Sequence, residues 1–418
     1  MESFARHLVD KGHDVSVVTT CKTARDGRLT EGTPDGVRLF ELDNRGRLGA
    51  SARSSSPVAS VQGRSAGGMR LLKIKRMVDR FLGQLLDHRL LFAAQFASPF
   101  LAKEVKSALS EADIVVSSSP PWITHLAGWI AKKRYGVRWL ADYRDQFSGN
   151  HIQIGSAFSR PLERWIDRGL LRSADCVSVI SGPMKTYYEQ FHGRVECIEN
   201  GYDEKAFARI EQVVVDKPAS GVPKTAFVIR YAGSISADRI PHALLQAIVQ
   251  ANRGEGAPFH VEFCGESGLL RSMMPKTFPE AQPFVRFVPQ LGYSEALAAM
   301  LEADLLYFVE TSDTSSLSAR GVLTTKLFEY LAAKKPVIAE ISEEALAAQY
   351  LRASGLNMVI SVKSDEIHDA LIRYRSGGQV LAPDDAFIHS LSRAVKAQAM
   401  EDLLGQLYTE GARTVVRS

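Results

Sequence analysis

The chain has 418 residues, 45% hydrophobic and 23% charged, a composition of folded soluble domains and long enough for two of them. Disordered, collagen-like and disulfide-scaffold proteins are excluded on that composition, and 51 Lys and Arg against 47 Asp and Glu leave a net charge of +4, no case for nucleic acid. Cys21, Cys176, Cys197 and Cys264 form no Cys-x-x-Cys pair, which fits a reducing compartment and argues against a structural zinc site.

The first segment, MESFARHLVDKGHDVSVVTT, places Phe4 and Leu8 one helical turn apart, stops the helix at Gly12 and starts a strand at Val15. It has neither a signal peptide nor, anywhere downstream, an apolar run of about 18 residues that would span a membrane. A helix that feeds a buried strand is normally preceded by a strand of its own, so a strand and loop are expected upstream of Met1. Residues 43–69 are rich in Gly, Ser and Arg and read as a surface loop. Residues 70–92 mix Leu, Ile and Phe with Arg70, Lys73, Lys75, Arg76, Arg80 and Arg89. This basic amphipathic pattern suits an anionic membrane surface, and equally a solvated helix packed on its own domain.

Strands are predicted at 14–20, 113–118, 138–142, 176–180, 195–198, 227–232, 259–264, 285–288, 304–309 and 336–339. Helical patterns at 122–134, 242–252, 293–301 and 325–333 lie between them, and such alternation predicts βαβ units with parallel sheets. The stretch 211–224, with two prolines and a glycine, reads as a linker. The domains expected are 1–210, the linker 211–224, a second domain 225–387, and a C-terminal helix 388–418 that returns to the first.

Three segments carry candidate chemistry. The strand WLADYRD ends in Asp142, Arg144 and Asp145, and active groups of open α/β sheets gather at strand carboxyl ends. Asp145 is a candidate general base with Arg144 orienting it, although a structural Asp–Arg pair fits the same residues. Just upstream, Ser119 and Pro120 belong to a Ser-Pro-Pro turn that either lines the same site or only connects strand to helix. In VIRYAGSIS, Gly233 allows a diphosphate to approach the backbone and Arg239 is spaced to neutralise it; an ordinary βα turn reads the same way. In TTKLFEYL, Thr324 and Thr325 signal a helix start, Lys326 adds a cation there, and Glu329 lies on the face of Thr325. A capped surface helix is the plain alternative. Phosphate-loop, Gly-x-Gly-x-x-Gly, His-Glu-x-x-His and Asp-x-Asp motifs are all missing, so no metal or cofactor is expected.

In this order, the segments resemble a family 4 type glycosyltransferase of the GT-B fold, over nearly the whole chain from Met1 to about residue 405. The resemblance rests on SSPPWITHLAGWIAKKRYGVRWLADYRDQF, whose Ser-Pro-Pro turn and Asp-Tyr-Arg-Asp strand end fit a bacterial branch. It rests further on ADCVSVIS…CIENGYDEKAF, RYAGSISADR and GVLTTKLFEYLAAKKPVIA. It implies two Rossmann-like domains facing a cleft, the first without its first strand and glycine-rich loop. By the same resemblance, Gly233, Ser234 and Arg239 hold the donor diphosphate, Thr324, Thr325 and Lys326 line its phosphate and sugar end, and Glu329 binds ribose. Gly321 stands where the family has the first glutamate of its Glu-x7-Glu pair, and Ser234 where it has arginine.

The activity so implied is metal-independent, retaining transfer of a sugar from a UDP- or GDP-sugar to a saccharide or lipid-linked acceptor. The setting is bacterial surface polysaccharide or glycolipid synthesis in the cytoplasm, peripheral on the inner membrane. A non-hydrolysing UDP-sugar 2-epimerase and a non-catalytic assembly subunit fit the same pattern.

Overall fold

The computed structural model describes residues 2–20, 33–42, 90–150, 159–215, 225–378 and 381–415. The basic loop and helix expected over 43–92 therefore lie outside the described residues as far as 89. Two compact units emerge, Met1–Ile198 with Ala397–Ser418, and Glu199–Lys396.

In the first unit, β1 (Ser16–Thr20) pairs in parallel with β2 (Arg38–Leu42). A second, four-stranded parallel sheet runs in the order β3 (Ile114–Ser119), β4 (Arg138–Tyr143), β5 (Cys176–Val179), β6 (Val195–Cys197). β4 is enclosed from Trp139 onward, as expected of a parallel strand covered on both faces. The helix Ile123–Tyr135 packs beside it and stops at Gly136, whose φ of 72° is the left-handed conformation that closes helices. From Ala397 onward the C-terminal helix Arg393–Val415 belongs to this unit, where Met400, Leu403 and Leu407 pack on Leu140, Cys176 and Ile198.

The second unit holds six parallel strands: β7 (Phe227–Ala232), β8 (Phe259–Cys264), β9 (Val285–Val288), β10 (Leu305–Val309), β11 (Val337–Glu340) and β12 (Asn357–Ile360). Their order across the sheet is β9-β8-β7-β10-β11-β12. That is a doubly wound sheet whose strand order reverses between β7 and β10, the point where such sheets open a crevice at their carboxyl ends. Buried helices cover both faces, one core built on Phe263, Leu244 and Ile248, the other on Phe308, Leu327 and Leu331.

Three expectations change. β2 and β12 lie outside the predicted strands, because RLFEL is half-exposed and mixed in polarity and NMVI is short. The helix Glu204–Val215 occupies the first residues of the stretch read as linker, since Ala206, Phe207 and Ile210 recur at helical spacing on one apolar face that packs into the core. The rest of that stretch, 216–224, lies outside the described residues.

Candidate functional site

The reversal point of the second sheet is where its charged side chains gather. β7 runs into Gly233, whose φ of 142° is open to glycine and strained for other residues. Its N–H bonds the carbonyl of Cys264 at 2.8 Å, and a side chain placed there would meet Lys326 Cδ at 2.8 Å. The lysine stem therefore lies directly over the turn. Its Nζ donates to Tyr231 Oη at 2.5 Å and stands 4.4 Å from the centre of that ring. Burial lowers the Lys326 ammonium to about 8, with Glu310 pulling the other way.

Arg239 closes the short turn Ala237–Arg239 that follows. Its Nη2 is 2.7 Å from Glu310 Oε2, yet neither Arg239 Nε nor Glu310 Oε2 has an aligned hydrogen-bond partner among the described residues. The contact is an ion pair without directional bonding, and it leaves a buried guanidinium N–H without an acceptor. Burial raises the Glu310 carboxyl, while Arg239 and Lys326 oppose that rise. Glu310 escaped the sequence reading. The signal was present, because it directly follows the all-buried apolar strand LLYFV, the same strand-end position that drew attention to Asp142.

Thr324 sits at the start of the helix Thr325–Ala332, as its position suggested, but it does not cap it. Its hydroxyl donates instead to Glu310 Oε1 at 3.0 Å. Leu327 N–H bonds the Thr324 carbonyl at 3.1 Å, and the N–H groups ahead of it, at the positive dipole end, have no side-chain acceptor among the described residues. Thr325 is exposed on that turn. One turn on, burial pushes Glu329 up to about 7, against the pull of Arg393 and Lys326. Its carboxylate has no hydrogen-bond partner among the described residues. Ser234 is exposed, and its carbonyl accepts from Tyr231 Oη at 2.8 Å. Gly233, Arg239, Thr324, Lys326 and Glu329 thus fall in one unit with Glu310 and Tyr231 among them, and Gly321 closes the neighbouring turn Leu317–Arg320.

In the first unit the strand-end residues separate by burial. Asp142 has no exposed surface. Its neighbours across the sheet are Ser118 and Ser178, whose hydroxyls donate to Oδ2 and Oδ1, each at 2.8 Å. Arg144 Nε donates to Oδ2 at 2.8 Å as well. Enclosed and fully engaged, Asp142 anchors the strand ends and Arg144, a placement at odds with the direct catalytic part expected of it. Arg144 is further held through its own N–H to the Ser119 carbonyl at 2.7 Å. Asp145 is exposed, Ser119 is buried and Pro120 is exposed.

Residues 1–201 match the family model of the glycosyl transferase 4-like domain. The D-inositol 3-phosphate glycosyltransferase of Corynebacterium urealyticum is 24% identical over 280 residues; the match spans 63% of this chain and 62% of that protein's length. Among solved structures, the sucrose-phosphate synthase of Thermosynechococcus elongatus superposes with a TM-score of 0.59 at 17% identity, over 97% of this chain and 92% of that one. Anabaena HepE in complex with UDP and glucose gives 0.58 at 15%, over 96% and 94%. The trehalose 6-phosphate synthase of Burkholderia multivorans gives 0.58 at 13%, over 97% and 98%. At these identities the structural likeness is one of fold. Residues 1–201 are thus similar to the glycosyl transferase 4-like domain, and over nearly its whole length the chain shares the GT-B fold of these solved structures.

Proposed function

We propose that this chain transfers a sugar from a nucleoside diphosphate donor, held by the second unit, to a saccharide or lipid-linked acceptor. The observation that carries the reading is the pair of cations at the reversal point: Arg239, whose buried Nε has no hydrogen-bond partner among the described residues and only the Asp238 carboxylate at 3.9 Å, and Lys326 folded over Gly233. Beside them the helix Thr325–Ala332 offers a positive end without a side-chain cap, so a diphosphate meets two cations and the N–H groups of Thr325 and Lys326. The half-buried Glu329 suits ribose hydroxyls, which would supply the donors its carboxylate lacks.

In the transfer, the bond between the anomeric carbon and the diphosphate oxygen breaks, and the acceptor oxygen bonds to that carbon. Arg239 and Lys326 hold the charge that builds on the leaving diphosphate, so no metal is required. The acceptor hydroxyl proton passes to a base, for which Asp145 is the candidate. Retention of the anomeric configuration and a part in surface polysaccharide or glycolipid synthesis rest on the family resemblance. UDP bound to HepE supports a uridine donor, with GDP as the other choice.

A melting series of the full chain with UDP, GDP, CMP and dTDP tests the donor class, because a ligand bound only by the folded state raises its melting temperature. A rise with UDP or GDP alone is expected, and no rise with any of the four would overturn the proposal. Glu329→Ala is expected to weaken that binding by about 1–3 kcal/mol, the worth of charged hydrogen bonds to ribose. Undiminished affinity, measured by titration calorimetry, would remove Glu329 from the site. Asp145→Asn is expected to keep the donor-induced rise and lose most transfer; if turnover survives too, Asp145 is not the base.

A further inference from the structure

The helix Ser159–Leu171 in the first unit, SRPLERWIDRGLL, is amphipathic in an unusual sense. Its only two carboxylates, Glu163 and Asp167, point inward and are 2% and 0% exposed. Tyr143 Oη donates to Asp167 Oδ1 at 2.5 Å and Ser148 Oγ to Oδ2 at 2.6 Å, so Asp167 is committed to the interior. Burial raises both carboxyls, Asp167 to about 6.

The outer face keeps only cations. Arg160, Arg164 and Arg168 follow at intervals of four and Arg172 stands just past the end, all exposed and none in an ion pair with another described residue. Charged helix faces normally offset such arginines with carboxylates one turn away; here those carboxylates are turned into the core. Among the arginines stands Trp165, 73% exposed, and with Arg160, Pro161, Arg164 and Arg168 it lines an open hollow of about 520 Å³. Arg168 lies over the Phe191 ring at 4.7 Å, and none of these guanidinium groups has a carboxylate partner among the described residues, so the exposed indole beside them combines an aromatic anchor with charge complementary to phosphate headgroups. Donor-site residues play no part in this surface.

We infer that this face docks on an anionic phospholipid bilayer, with Trp165 entering the headgroup region and Arg160, Arg164, Arg168 and Arg172 meeting lipid phosphates. The full chain is mixed with vesicles of phosphatidylcholine alone, or of phosphatidylcholine with phosphatidylglycerol, and bound protein is separated by flotation. Binding is expected only to the anionic vesicles, with tryptophan emission quenched by brominated lipid. Arg164→Glu with Arg168→Glu is expected to lower the bound fraction about tenfold or more, and Trp165→Ser to abolish most of the quenching. All three residues are exposed, and an unchanged melting temperature verifies the fold. Failure to bind anionic vesicles, equal binding to neutral ones, or binding unaffected by the substitutions would overturn the assignment. Displacement by soluble glycerol 3-phosphate would also overturn it, in favour of a site for a free phosphorylated molecule, and capture of RNA in place of vesicles would do so in favour of a nucleic acid.

Discussion

Replacing Lys326 with alanine is expected to lower transfer about 10²–10³-fold, the usual cost of deleting one preorganised group from a developing charge. The ammonium is largely enclosed, lies over the Gly233 turn and has Glu310 and Arg239 as its charged surroundings. In such a site a cation acts at low dielectric, with little water to replace it once removed. The loss should fall on kcat/KM and the donor-induced melting rise should shrink in parallel, while the melting temperature without donor moves little. A fall of only a few-fold would place the diphosphate elsewhere. The same side chain makes a prediction in pH. Because burial lowers the ammonium to about 8, the charged form is complete below that value and is lost as pH rises through it. Donor affinity of the unaltered protein should therefore decline above about pH 8. In Lys326→Arg, whose guanidinium stays protonated, the alkaline decline should move well upward even if the absolute affinity falls. An alkaline limb that stays in place in the arginine variant would assign it to another group.

What could be read in the sequence followed physical strength of signal. β4, β10 and β11 are buried on both faces, so WLADY, LLYFV and VIAE stand out as apolar runs. β2 is a half-exposed pairing partner of β1, and its alternation of Arg, Glu and Leu carries no such run. Gly233, Arg239, Thr324 and Lys326 were legible as strand-end and helix-start residues, because those positions have few alternatives chemically. How they connect was not legible. Thr324 has the residue type of a helix cap, and only the fold shows that Glu310 takes its hydroxyl. Likewise Asp142 and Asp145 are three positions apart at one strand end. Strand alternation with the serines of β3 and β5 encloses the first, while the second follows the end of the strand and is exposed.

That distinction leads to the second large effect. Asp142→Ala should destabilise the first unit by about 3 kcal/mol, the lower end of the range for breaking a buried ion pair, since Arg144 keeps some contact with water. Two serine hydroxyls also lose their acceptor at the centre of the sheet. For a unit of this size the melting transition should drop by about 6–12 °C. Asp142→Asn should lie between, because its carbonyl oxygen still accepts from one serine while the charge opposite Arg144 is gone. With donor binding proposed for the second unit, the rise produced by UDP or GDP should survive in both variants wherever the chain remains folded. Loss of transfer would then follow the loss of fold and be restored by cooling the assay. The opposite pattern, a melting temperature within a degree or so of the unaltered protein with transfer abolished at every temperature, would return Asp142 to the reaction itself and leave its three hydrogen bonds as the means of tuning it.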